Sequence, residues 1–155
     1  MAELVTQDTI NVLVDFCGFA LQDEDDLAVP VPFPDDREVG DEALPLLTVF
    51  ERRLDFGSAG HTHTAVLAWQ VWTGEPPADD SEPWEERDEA EIYASTGVLS
   101  VEAAVGDARL DLGAANQLWK VRVSCAGRAE VARRAPVEVP EGVERYLAQF
   151  WPAAA

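Results

Sequence analysis

The sequence predicts an all-β protein, an antiparallel β-sandwich of about eight short strands in which residues 1–155 form a single domain. Three observations predict this class. Apolar residues recur with period two in several runs, as on half-buried strands. Gly and Pro turn signals separate the runs. With 47% hydrophobic residues, including six Phe and five Trp, the 155-residue chain can fill a core.

Three strands are predicted in the N-terminal half. The stretch "TINVLVDFCGFAL" has apolar residues on both strand faces, which predicts one central strand that continues through Phe16. The run "LLTVFERRLDF" predicts a second strand, Leu46–Phe56. The run "HTAVLAWQVWTG" predicts a third, which Gly74 and Pro76 end.

The C-terminal half predicts the remaining strands. "EIYAS", "GVLSVEAAV", "ARLDL" and "AEVARR" are short strand candidates, and "QLWKVRVSCAG" has the cleanest alternation in the chain. Its one apolar and one polar face are typical of an antiparallel sheet. The last run, "EGVERYLAQFWPA", also fits helical spacing, but its aromatic content and shortness favour a strand.

The net charge of −19 is concentrated in two proline-containing segments, Gln22–Glu42 and Glu75–Glu91. Each segment holds nine acidic residues and one arginine, so together they account for −16 of the −19. We expect both to be long acidic loops on a nearly neutral framework. Such loops attract cationic partners and repel nucleic acid and anionic membranes, and solvation alone is the simpler explanation for a charge run.

The acidic segments therefore supply the candidate partner-binding residues. Trp84 lies among the carboxylates, either pinning its loop to the sandwich or anchoring an interface. The full predicted set comprises Asp23, Glu24, Asp25, Asp26, Asp79, Asp80, Glu82, Trp84, Glu85, Glu86 and Asp88.

A metal site is the main alternative. His61 and His63 in "GHTHT" are two residues apart, so on a strand both rings would project from one face, a common arrangement of metal ligands. No Glu follows at the spacing of a cupin site, and the chain has no third His. The cluster "DEDD" lacks the Gly and Glu positions of an EF-hand loop. No nucleophile elbow or phosphate-binding Gly loop is present either.

Three stretches carry a resemblance to a known family: "VLVDFCGFALQDED", "STGVLSVEAAVGDARLDLGAANQLWKVRVSCAG" and the closing "ERYLAQFWP". They are similar to small bacterial β-sandwich proteins of the competence-nuclease inhibitor family and to related immunity-like proteins. In that family a compact acidic sandwich binds and blocks a DNA-degrading nuclease. The resemblance covers about half of the chain and carries no inhibitory residue over to it.

The sequence thus predicts a cytoplasmic, non-catalytic binding protein of inhibitor or immunity type, without a cofactor. Its expected partner is a basic protein, such as a nuclease or a toxin, and direct binding to nucleic acid or membranes is not expected. Two alternatives stay open: a metal-binding module or metal-dependent enzyme that uses His61 and His63, and a structural subunit that docks through apolar strand faces.

Overall fold

The computed structural model describes residues 1–31, 45–103 and 108–153. The β-strands in these ranges are β1 Leu4–Val14, β2 Gly18–Asp23, β3 Leu47–Phe50, β4 Arg53–Gly57, β5 His63–Trp72, β6 Glu86–Ala94, β7 Val98–Glu102, β8 Arg109–Asp111, β9 Gln117–Ala126 and β10 Glu141–Pro152. A 3₁₀ turn covers Asp26–Ala28, and the helix α1 covers Arg128–Arg134. No helix of the described ranges is long and apolar enough to cross a bilayer.

The strands form two five-stranded sheets. The first has the order β1-β5-β10-β9-β6 and the second the order β3-β4-β2-β7-β8. Their buried side chains form one hydrophobic core, in which Phe19 and Phe56 of the second sheet contact the ring of Tyr146 from β10. Strand β5 shows why the two sheets associate: every second residue from His63 to Val71 is buried, so one face needs a covering layer.

The prediction of an all-β fold is confirmed, and its details need two corrections. The described residues form ten strands rather than about eight. One pairing, between β5 and β10, is parallel, whereas the prediction was antiparallel throughout. These two strands are far apart in sequence, so no short hairpin forces them to run in opposite directions.

The first predicted strand is two strands that belong to different sheets. Strand β1 ends at Val14, a turn follows, and β2 begins at Gly18. Strand β1 lies at the edge of its sheet, so the prediction of a central position is wrong for β1 and holds for β2. Phe16, through which the predicted strand was to continue, is in the turn and 68% exposed.

Two further predicted strands are wrong. The run Leu46–Phe56 is a hairpin, β3 and β4, whose turn contains Arg52 at a φ of 63°. The stretch "AEVARR" belongs to helix α1 rather than to a strand. In contrast, the predicted strands in the regions of β9 and β10 are confirmed, and the two strands pair with each other from Ala126 to Trp119.

Candidate protein interface

The second acidic segment is a loop in its first part and a strand in its second. Strand β6 starts at Glu86 and, among the described strands, pairs only with β9, so it forms an edge of the first sheet. The expected long loop therefore ends at Glu85. Along the strand, Glu86 and Asp88 lie on one face and Glu89 and Glu91 on the other, all exposed. We call these four residues the acidic edge.

The loop that precedes β6 folds back onto the sheet. A guanidinium nitrogen of Arg122 donates a hydrogen bond to the carbonyl of Pro76 at 3.1 Å, and Pro76 is buried. Arg145 Nε lies 2.5 Å from Glu82 Oε1. Glu82 is therefore held by a cation of β10, which leaves less of its charge for a partner.

Trp84 and Asp79 stabilise the loop from within. The indole N–H of the half-buried Trp84 donates to Asp79 Oδ1 at 3.2 Å, a contact within the loop, so the predicted pinning of the loop to the sandwich stays a prediction. Burial raises the pKa of Asp79, but hydrogen bonds from Ser81 and Trp84 and the charge of Arg87 outweigh it, so the pKa lies below its usual value. Asp79 therefore serves as an internal acceptor in this loop.

The exposed side chain of Glu85 caps helix α1. Its carboxylate accepts hydrogen bonds from the backbone N–H groups of Gly127 at 2.9 Å, Arg128 at 3.1 Å and Ala129 at 3.1 Å. These are groups that the first turn of a helix cannot pair internally. Glu85 thus ties the acidic segment to the helix that follows β9.

The carboxylates of this region differ in how far the fold neutralises them. Glu86 pairs with Arg128 at 3.3 Å and Glu89 with Arg122 at 3.0 Å, although their side chains stay 50% and 60% exposed. Asp80, Asp88 and Glu91 are exposed and make no ion pair within the described residues. These three carry charge that is free to act on a partner.

The first acidic segment lies elsewhere and is partly internal. Asp23 is fully buried at the end of β2, where it accepts hydrogen bonds from Ser95 Oγ at 2.6 Å and from Arg52 at 3.0 Å. Its predicted role as a partner-binding residue is therefore wrong. Glu24 pairs with Arg109 at 3.2 Å, and Asp25 is exposed.

The first acidic segment continues through Asp26 to Glu42. Asp26 is exposed and accepts a hydrogen bond from Gln22 at 3.2 Å. The part of the segment that falls in residues 32–44, up to Glu42, lies outside the described residues. Asp23 contacts Ser95, which follows β6, so it lies about 30 Å along that strand from Glu86 and about 13 Å from Glu91.

The two histidines do not form a common site. The His61 side chain is 57% exposed, and its Nδ1 lies 2.8 Å from Thr62 Oγ1. His63 is completely buried, and its Nε2 lies 2.7 Å from Ser58 Oγ. In the ranges that the structure describes, no group of three or more His, Cys, Asp or Glu side chains is placed to hold a metal ion. The geometry thus gives the metal alternative no support.

A buried polar network surrounds Glu144, and the sequence analysis did not predict it. Glu144 accepts hydrogen bonds from Ser58 Oγ at 2.7 Å, Ala59 N at 3.0 Å and Tyr146 OH at 2.5 Å. Because the Ser58 hydroxyl donates to Glu144, neutral His63 is the donor in its contact with Ser58. A single Glu at a core-facing position of an aromatic-rich strand was the signal in the sequence.

Arg128 connects this network to the acidic edge. Its Nε lies 3.3 Å from Glu86, one Nη lies 4.0 Å from Glu144, and the same Nη donates to the carbonyl of Gly57 at 2.8 Å. The side chain is 8% exposed. The start of β6 is thus fixed to the core through one cation.

Comparisons with known proteins identify the fold. No protein-family model matches the chain, and no curated protein matches it in sequence. The crystal structure of ComJ, inhibitor of the DNA-degrading activity of NucA, from Bacillus subtilis, is similar over 99% of both chains, with a TM-score of 0.65 and 12% identity. The chain has the ComJ fold. The predicted resemblance to the competence-nuclease inhibitor is confirmed at this level.

A second solved structure has the same architecture. The crocagin biosynthetic gene J protein is similar over 96% of this chain and 99% of its own, with a TM-score of 0.59 and 11% identity. Two proteins of such low identity share the fold with this chain, so the fold alone does not determine the function.

Proposed function

We propose that the protein is a non-catalytic inhibitor that binds a DNA-degrading nuclease through the acidic edge and the adjoining loop. The observation that carries the proposal is the combination of the ComJ fold with an edge strand that has four exposed carboxylates within six residues. A nuclease needs a cationic groove for the phosphates of DNA. An ordered row of carboxylates can occupy such a groove and exclude the substrate.

The geometry of β6 suits this task. Residues two apart on a strand lie about 6.6 Å apart on one face, so the carboxylates stand at fixed intervals. The strand pairs with β9 along its whole length, and its first residue is fixed through Arg128. Ordering a charged surface before binding reduces the entropy lost on association.

Electrostatic steering is the expected effect of the charges that the fold leaves unpaired. Asp80, Asp88 and Glu91 are exposed, and their removal breaks no ion pair in the described parts of the chain. Exposed charges act mainly on the association rate and are screened by salt. Binding should therefore weaken as ionic strength rises.

The test is capture of the partner followed by an activity assay. Immobilised protein is incubated with a native lysate at low ionic strength, and bound proteins are eluted at high ionic strength and assayed on plasmid DNA. We expect the eluate to degrade DNA and to be inhibited again when soluble wild-type protein is added after dilution. The variant Asp80→Asn, Asp88→Asn, Glu91→Gln should require about tenfold more protein for the same inhibition.

A matched variant controls for net charge. Glu3→Gln, Asp8→Asn, Asp111→Asn also removes three exposed carboxylates, from β8 and from the opposite edge of the first sheet. It should inhibit as well as the wild type. An eluate without DNA-degrading activity, or equal inhibition by both triple variants, would contradict the proposal.

A further inference from the structure

The turn between β1 and β2 has an unusual backbone for its residues. Gly18 N donates to the carbonyl of Asp15 at 3.1 Å, and the two central residues, Phe16 and Cys17, have φ values of 50° and 62°. Positive φ at both central positions is the conformation of a type I′ hairpin turn, where Asn and Gly predominate. Phe and Cys carry a Cβ that disfavours this region.

The neighbouring loop holds the turn in this conformation. Cys17 N donates to the carbonyl of His61 at 3.1 Å, and Ser58 N donates to the carbonyl of Cys17 at 2.9 Å. The result is a phenylalanine at the tip of a turn, 68% exposed, with its ring edge-on to that of His61 at 5.3 Å. Strained backbone that presents an exposed aromatic ring is a feature of functional surfaces.

More apolar surface lies at the same end of the sheet. A Cβ on Gly60 would lie 3.2 Å from Ala135 Cβ, so the end of α1 packs beside the loop that carries His61. The chain that follows α1 exposes Val137 by 85% and Val139 by 62% before it reaches β10. We call Phe16, Val137 and Val139 the apolar tip.

The apolar tip and the start of the acidic edge lie at the same end of the first sheet, with Phe16 next to the β1 edge and Glu86 on the β6 edge. The last residues of β1 pair with the start of β5, and β9 ends opposite Glu86, where β6 begins. Glu85 caps the first turn of α1, whose other end lies beside Gly60. Three carboxylates are close in the chain to the tip residues: the half-exposed Asp15, the exposed Glu141, and the exposed Glu138, which pairs with Arg134.

We propose that the apolar tip is the anchor of the interface with the basic protein that the acidic edge attracts, an inference that rests on the proposed function. The carboxylates close to the tip residues match a partner whose apolar pocket is bordered by cations. A second copy of this chain fits poorly, because each copy has a net charge of −19. Buried aromatic anchors govern dissociation, whereas exposed charges govern association.

The substitution Phe16→Asn separates binding from folding. Asn adopts positive φ readily, as Asn116 does here with a φ of 51°, so the variant should melt at the same temperature as the wild type or above it. Its dissociation rate from the captured nuclease, purified and immobilised for interferometry, should rise about tenfold or more. The salt dependence of association should stay unchanged. Leu27→Asn, at a residue that is 99% exposed on the 3₁₀ turn, should have no effect on either rate.

The outcomes distinguish this inference from the function on which it rests. A dissociation rate unchanged by Phe16→Asn overturns the anchor and leaves the inhibitor proposal intact. If the purified partner is a basic protein without nuclease activity, and Phe16→Asn accelerates its release, the inhibitor proposal fails and the anchor stands. Concentration-dependent dimerisation of the wild type that Phe16→Asn abolishes overturns the anchor, because the occupant is then a second copy.

Discussion

Replacing Glu144 by Gln should destabilise the protein by about 3 kcal/mol, because the amide has one acceptor oxygen where the carboxylate uses two. In the structure, one carboxylate oxygen accepts from Ser58 and Tyr146 and the other from Ala59 N. With the amide nitrogen toward Ala59, two donors face each other, and one unpaired buried donor costs about 1–3 kcal/mol. Loss of the charge weakens the two hydroxyl hydrogen bonds by about 1 kcal/mol in total.

Urea unfolding of the wild type and of Glu144→Gln at pH 7 measures this difference in the free energy of unfolding directly. For a chain of this length, about 3 kcal/mol corresponds to a decrease of about 6–12 °C in the melting temperature. The slope of the urea transition should stay unchanged, since the surface exposed on unfolding is the same. Glu141→Gln, at an exposed position on the same strand, should shift stability by less than about 0.5 kcal/mol. A loss of less than about 1 kcal/mol for Glu144→Gln would refute the role given to the network.

Two buried side chains, His63 and Cys125, and one close backbone approach at Gly127 can be tested in the same way. Burial lowers the pKa of His63 in the folded state, so as the pH drops the imidazole is protonated first in the unfolded chain. The stability of the wild type should therefore fall as the pH drops below about 6.5. In His63→Gln the urea midpoint should depend less on pH in this range. Burial raises the pKa of Cys125 to about 12, so iodoacetamide at pH 8 should label the half-exposed Cys17 in the folded protein and Cys125 only in urea, as mass spectrometry would show. Gly127, at a φ of 81°, approaches the carbonyl of Val143 so closely that the Cβ of Gly127→Ala would overlap it. Soluble expression or the urea midpoint should therefore decrease sharply, and wild-type values would contradict this close approach.

The strands with one apolar face were predictable from sequence, and the turns between some of them were not. Period-two alternation marks the region of β9 because its inner side chains are buried and its outer ones are wet. The β1–β2 turn has Phe16 and Cys17 where Gly or Asn would have indicated a hairpin. Helix α1 is only seven residues long, and its cap comes from Glu85 in the loop before β6. Tertiary contacts, rather than local propensity, decide these elements.

The sequence predicted that the candidate interface is acidic, but not which of its carboxylates are available to a partner. Counting residues located the acidic segments, but the partners that neutralise individual carboxylates are distant in sequence. Glu82 is paired with a cation 63 residues away, and Glu85 caps a helix that begins 43 residues later. Asp23 is buried against Ser95, 72 residues away. Which carboxylates remain available is therefore a property of the fold.

The ionic-strength dependence of the association rate tests the central claim most directly. The rate of binding to the captured nuclease is measured from low to high salt for the wild type and for both triple variants. We predict that the wild type and the Glu3, Asp8, Asp111 variant share one steep dependence, whereas the Asp80, Asp88, Glu91 variant is slower at low salt and converges with them at high salt. Three coincident curves would contradict the claim that the acidic edge and its adjoining loop attract the partner.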